Sequence, residues 1–150
     1  MKPLWDMLAT GGYTGKMPFA PGTWGTLPGV ALLWFTGSWL LSAKLALALF
    51  LILVGVFLSQ KGIEYYNNED PKQVVIDEIA GVYVAGMWWP PSALVLILAF
   101  LAFRFFDILK PWPVNRAEAL PGAFGIMADD IVAGIYAAGV LFLLSFFLTY

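Results

Sequence analysis

An all-α, membrane-embedded bundle of about five apolar segments, with its functional loops on one face, is the fold class this sequence predicts. Three observations predict it. The chain of 150 residues is 61% hydrophobic and only 12% charged, about half the charge of an ordinary soluble domain. Its apolar residues fall in long runs without the period-two alternation of half-buried strands. Proline and glycine clusters separate those runs, as helix starts and stops do. The length suits a single domain over residues 1–150.

The apolar runs are 26–41, 43–59, 74–89, 92–106 and 131–150. The second and fifth approach the roughly 20 residues that a helical span requires. The first, third and fourth are short or carry charges, so they are expected to tilt or to be sheltered by their neighbours. Asp70-Pro71 reads as an N-cap and first-turn proline opening the third helix. Pro90-Pro91 closes it, and Lys110-Pro111-Trp112-Pro113 stops the fourth. The stretch 107–128 reads as a loop, and no internal repeat stands out.

Threading these segments in alternation puts all ten carboxylates at or near one face. Lys2, Lys16, Lys61, Lys72, Arg104, Lys110 and Arg116 fall on the same face, and only Lys44 on the other. By the positive-inside rule, the polar face is expected in the cytoplasm.

Charge and composition also exclude chemistries. A net charge of −2 provides no broad basic surface, which argues against a nucleic-acid partner. The absence of cysteine and histidine removes disulfides, thiolate nucleophiles, phosphohistidine intermediates and the usual zinc ligands.

What remains is carboxylate chemistry. The threading gathers Asp77 and Glu78 of "VVIDEIAG", Asp107 of "RFFDILKPWPVNR", and Asp129 and Asp130 of "GIMADDIVAG". Clustered carboxylates repel one another, and a divalent cation relieves that repulsion. With only oxygen donors, a site of the Mg²⁺ type is expected. Each group also has a plainer explanation. Asp129 or Asp130 would cap the fifth helix, Asp77 and Glu78 would be solvated, and Asp107 would pair with Arg104 three residues away.

Two further features point towards phosphate. "APGTWGTLPG", residues 20–29, reads as a loop before an apolar helix, where exposed backbone N–H groups suit an anion. It equally reads as an ordinary turn entering the membrane, and it lacks the GK[ST] of a P-loop. Lys16, Lys110 and Arg116 in the polar loops suit phosphate oxygens or lipid headgroups. An acidic metal site, anion donors and cations on one membrane face together suggest phosphoryl chemistry on a lipid.

"PGTWGTLPG", "VVIDEIAG" and "DILKPWPVNRAEALPGAFGIMADDIVAG", in that order, resemble the bacterial phosphatidylglycerophosphatase A family over residues 12–136. The resemblance implies a membrane-embedded helical bundle that uses Mg²⁺ to hydrolyse phosphatidylglycerophosphate to phosphatidylglycerol. One departure is Ala123, where a second glycine is common. The expected ligands are among Asp77, Glu78, Asp107, Asp129 and Asp130, one of which could serve instead as the general base. Thr23, Gly25, Thr26, Lys16, Lys110, Asn115 and Arg116 are the expected substrate contacts, and the acyl chains stay in the bilayer. Two other functions fit the residues: a lipid phosphotransferase, whose long D-G-x-x-A-R…G…D…D pattern is missing here, and a small cation-binding transporter subunit.

Overall fold

A computed structural model describes residues 4–148, and among them the chain is all-helical, with no strand. In chain order the helices are α1 (Leu4–Ala9), α2 (Pro21–Phe35), α3 (Leu41–Tyr66), α4 (Ile76–Gly86), α5 (Ala93–Leu109), α6 (Val114–Glu118) and α7 (Ala123–Leu148), with a single 3₁₀ turn at Thr14–Lys16. Lys2 lies outside the described residues.

Two helices, α3 and α7, are long and apolar enough to cross a membrane. At 1.5 Å per residue, their 26 residues each extend about 39 Å, beyond the roughly 30 Å of hydrocarbon. Neither is a buried core helix. Leu45, Leu49, Leu53 and Phe57 form an exposed stripe down α3, and Ile135, Phe142, Leu143 and Phe146 line the outside of α7. Stripes of this size facing outward suit hydrocarbon rather than water.

The shortest of the five long helices, α4, is the centre of the molecule. α4 packs against α2, α3, α5 and α7, and ten of its eleven residues are buried. At about 16 Å it cannot cross a bilayer alone. Its neighbours enclose it instead. Small residues allow that approach, as in membrane bundles generally. A Cβ at Gly25 would fall 2.4 Å from Val75 Cβ, and one at Gly29 would fall 2.4 Å from Val82 Cγ1.

This packing corrects the reading of residues 20–29. The segment is not a loop: Ala20 takes a left-handed conformation, Pro21 opens α2, and Pro28 is accommodated inside the helix. Its glycines at 22, 25 and 29 form the stripe that lies on α4.

Three other boundaries differ from expectation. Asp70-Pro71 does not cap α4, which begins at Ile76 after a turn. The turn is fixed by Val74 N–H donating to Pro71 O at 2.9 Å and by Val75 N–H donating to Ala9 O, also at 2.9 Å. Asp77 and Glu78 therefore sit in the first turn of α4, not two turns inside it. The expected loop 107–128 is largely helical. α5 runs to Leu109, α6 intervenes, and α7 starts at Ala123 after Gly122 with φ +59°. Asp129 and Asp130 consequently lie in the second turn of α7, beyond capping position.

Candidate metal centre

The carboxylates meet because two helices cross at glycine. A Cβ at Gly134 of α7 would lie 2.3 Å from the Gly81 carbonyl oxygen of α4, and one at Gly81 would lie 2.8 Å from Asp130 O and 2.4 Å from Phe103 of α5. Asp77 precedes Gly81 by one helical turn. Asp130 precedes Gly134 by one turn, and Asp107 follows Phe103 by one turn on the antiparallel α5. A layer of Gly81, Gly134 and Phe103 thus supports a layer of Asp77, Asp130 and Asp107.

Within that layer, Asp77, Glu78 and Asp130 each present a carboxylate oxygen within 4.8 Å of the other two. Asp77 Oδ1, Glu78 Oε2 and Asp130 Oδ2 are buried and have no hydrogen-bond partner among the described residues. Buried polar atoms are almost always satisfied. Three neighbouring carboxylates, each with an unsatisfied buried oxygen, fit a hard divalent cation.

Asp107 and Asp129 differ in having cationic partners. Arg104 Nη1 pairs with Asp107 and lies 3.9 Å from Glu78 Oε1. Lys110 Nζ donates to Asp129 Oδ2 at 2.8 Å and to Glu118 Oε1 at 2.5 Å. Burial opposes the Lys110 charge, yet these two acceptors more than offset it and hold the ammonium above the usual lysine range. The other Asp129 oxygen accepts from the Asp130 backbone N–H at 2.9 Å.

These side chains line a cavity of about 220 Å³, whose rim carries Glu69, Asp70, Glu118 and Gly122. The rim acids are exposed, so the cavity opens towards water at the polar end. Asp77, Glu78, Asp107, Lys110, Asp129 and Asp130 are brought together around it; Lys16, Thr23, Gly25, Thr26, Asn115 and Arg116 do not line it. Lys16 instead donates to Asp6 Oδ2 at 2.5 Å. Gly25 is consumed by the α2–α4 contact, and the Thr26 hydroxyl donates to Gly22 O at 2.7 Å. Thr23 is half-buried in the first turn of α2, while Asn115 and Arg116 are exposed on α6.

The sequence names Arg104 as a partner for Asp107, and that pair forms, but it does not place Arg104 or Gly22 beside Glu78. Arg104 stands beside Glu78 as well as Asp107. Gly22 lies on the same edge, where a Cβ would be 2.6 Å from Glu78 Oε1 and 3.1 Å from Arg104 Nη1. The paired glycines Gly81 and Gly134 did carry a signal. "DEIAG" (77–81) and "DIVAG" (130–134) share the pattern D-x-x-A-G, a short internal match that places carboxylate and crossing glycine on one helix face.

A helical bundle with apolar outer faces and a buried acidic centre at one end defines a class: membrane-associated helical proteins with an acidic group able to hold a metal ion. The chain belongs to the phosphatidylglycerophosphatase A family, whose pattern matches residues 7–145. It is 41% identical to phosphatidylglycerophosphatase A of Haemophilus influenzae over 150 residues, covering 95% of this chain and 89% of that one. Identity to phosphatidylglycerophosphatase A of Escherichia coli is 34% over 144 residues, 94% and 83% of the two chains. A putative phosphatidylinositol-3-phosphatase of Bacteroides thetaiotaomicron is 35% identical over 147 residues, 87% of each. No solved structure matches the chain.

Proposed function

We propose that this protein is a lipid phosphatase that hydrolyses the terminal phosphomonoester of phosphatidylglycerophosphate, giving phosphatidylglycerol and phosphate in phospholipid biosynthesis. The observation that carries the chemistry is the trio of unsatisfied buried oxygens on Asp77, Glu78 and Asp130. Family membership carries the substrate.

In this proposal Mg²⁺ is held by Asp77, Glu78 and Asp130, with Asp107 and Asp129 completing the acidic set. Bound there, the cation neutralises phosphate oxygens and polarises the phosphoryl group. Lys110 fixes Asp129, and Arg104 fixes Asp107, so neither carboxylate swings away when substrate arrives. One carboxylate of the set takes the proton from the attacking water as the new P–O bond forms; the bond to glycerol breaks with its electron pair on the glycerol oxygen, which takes up that proton to leave as the alcohol. No D-x-D-x-T pattern supports a covalent aspartyl phosphate, so water is the preferred nucleophile.

The proposed setting is a bacterial inner membrane. All five apolar segments are embedded, the carboxylate centre faces the cytoplasm, and residues 1–150 act as one domain. Two spanning helices with outward apolar stripes support this, as does the collection of acids at one end.

The test is phosphate release from phosphatidylglycerophosphate by purified protein with and without Mg²⁺. Asp77→Asn and Asp130→Asn are each expected to lose about 100-fold or more in kcat, a typical cost of removing one electrostatic contact to the reacting group. Near-wild-type turnover in both folded variants would remove the centre from the chemistry. The name of the Bacteroides relative makes phosphatidylinositol 3-phosphate the second substrate to compare.

A further inference from the structure

An apolar groove of about 230 Å³ runs between α2 and α5, the two helices that carry Gly22 and Arg104 beside the metal centre. Leu27 and Val30 of α2 form one wall. Leu96, Ile97, Phe100 and Leu101 of α5 form the other. Both helices pack on α4 but meet each other only lightly, so a slot remains between them. Leu27, Ile97 and Leu101 are 43%, 56% and 56% exposed, which leaves the slot open to the surroundings of the bundle.

The register ties this groove to the centre. Leu27 lies five residues beyond Gly22 on α2, about 7.5 Å, and Phe100 lies four residues before Arg104 on α5, about 6 Å. The groove therefore begins one turn below the carboxylates and runs away from the polar end. By register, Arg104 stands between groove and centre, and its Nε is buried with no partner among the described residues. A Cβ at Gly22 would come within 2.6 Å of Glu78 Oε1 and 3.1 Å of both terminal nitrogens of Arg104. Any side chain there would crowd both Glu78 and Arg104.

We propose that this groove holds an acyl chain of the substrate lipid, with Arg104 Nε donating to the internal phosphodiester, so that substrate enters laterally between α2 and α5. The inference rests on the lipid-phosphatase reading above. The order of groups along the path matches the lipid's own order: hydrocarbon against apolar walls, a diester phosphate at a cation, then the terminal phosphomonoester at the carboxylates. Two other apolar grooves lack this continuity. The one beneath α1 lies against Ile76 and Ile79, on the face of α4 turned away from Asp77 and Glu78. The one lined by Trp89, Leu98, Leu141 and Ser145 is at the far end of the bundle.

The experiment compares kcat/KM for long-chain phosphatidylglycerophosphate with that for the same headgroup diester carrying no acyl chains. Val30→Trp fills the groove, and the ratio of the two values is expected to fall roughly tenfold or more, the equivalent of about two buried methylenes. Because the chain has no cysteine, Ile97→Cys offers a single thiol. Attaching an alkyl thiosulfonate there is expected to lower the same ratio, and reductant to restore it, which separates filling from misfolding. Leu53→Trp, on the outer stripe of α3, is expected to leave the ratio unchanged. The proposal is overturned if the ratio stays within about twofold in both the Val30 and the alkylated Ile97 proteins, or if Leu53→Trp lowers it equally. Wild-type protein that releases phosphate from neither substrate would instead defeat the lipid-phosphatase reading itself.

Discussion

Gly134 illustrates how one atom decides the geometry of the centre. A methyl there would sit 2.3 Å from the Gly81 carbonyl oxygen, which is backbone and cannot turn aside. Gly134→Ala is expected to force α7 from α4, cost about 1–3 kcal/mol of stability, and lower phosphate release by separating Asp130 from Asp77. Gly139 is the matched control, because a Cβ there meets nothing within 4 Å. Thermal unfolding in detergent and phosphate release, measured on both variants, check the pair; equal behaviour would contradict the crossing argument. Asp77 and Asp130 are legible from sequence because charge inside an apolar run is unusual. The glycines are harder to read, since a glycine's role is set by what approaches it.

At the level of elements, α1 holds the turn that launches α4. Asp6 is 2% exposed. It accepts from Lys16 Nζ at 2.5 Å and from the Tyr66 hydroxyl at 2.9 Å, tying α1 to the 3₁₀ turn and to the end of α3. Three residues later, Ala9 O receives the Val75 N–H just before Ile76 opens α4. Asp6→Asn is expected to cost about 2–3 kcal/mol, less than a fully buried pair because Lys16 reaches solvent, as read from the unfolding midpoint. Burial opposes the Lys16 charge, but Asp6 and Tyr66 outweigh it and raise the ammonium above its ordinary value of 10.5. The folded state thus holds this proton more tightly than the unfolded chain. The clamp's contribution is complete below about pH 10.5 and is lost as pH rises through the higher folded value. The unfolding difference between wild type and Lys16→Met is therefore expected to be flat from about pH 7 to pH 9 and to shrink only at stronger alkali. Sequence reading assigned Lys16 to phosphate because a lone lysine in a loop shows its charge but not its partner, Asp6, ten residues away.

Viewed whole, α2, α4 and α7 begin at the carboxylate end, while α3 and α5 finish there. The positive ends of three helix dipoles consequently face the acidic cluster, and Asp77 and Glu78 lie within the first turn, where that effect is strongest. Dipoles, Arg104 and Lys110 still leave three carboxylate oxygens without partners. Removing divalent cations with a chelator is expected to abolish phosphate release and to lower the unfolding midpoint, because a ligand that binds only the folded state stabilises it. Restoring Mg²⁺ should recover both in wild type, and neither in Asp77→Asn. An unfolding midpoint insensitive to chelation would argue against a resident cation. Lys44, alone among the basic residues at the opposite end in the sequence threading, is 7% exposed in the first turn of α3.

The sequence by itself determined the helical class, the apolar character and the five central carboxylates. Each follows from composition or from a charge standing in an apolar run, and neither needs a partner to be recognised. Only the tertiary structure decided that residues 21–29 are helical, that the 107–128 stretch is mostly helical, and which polar groups satisfy one another. Glycine next to proline breaks a helix in water, yet a tightly packed bundle can hold that same pair helical, because the missing side chains let backbones approach. Hydrogen-bond partners distant in sequence, such as Asp6 and Tyr66, acquire their roles from packing that local periodicity does not encode.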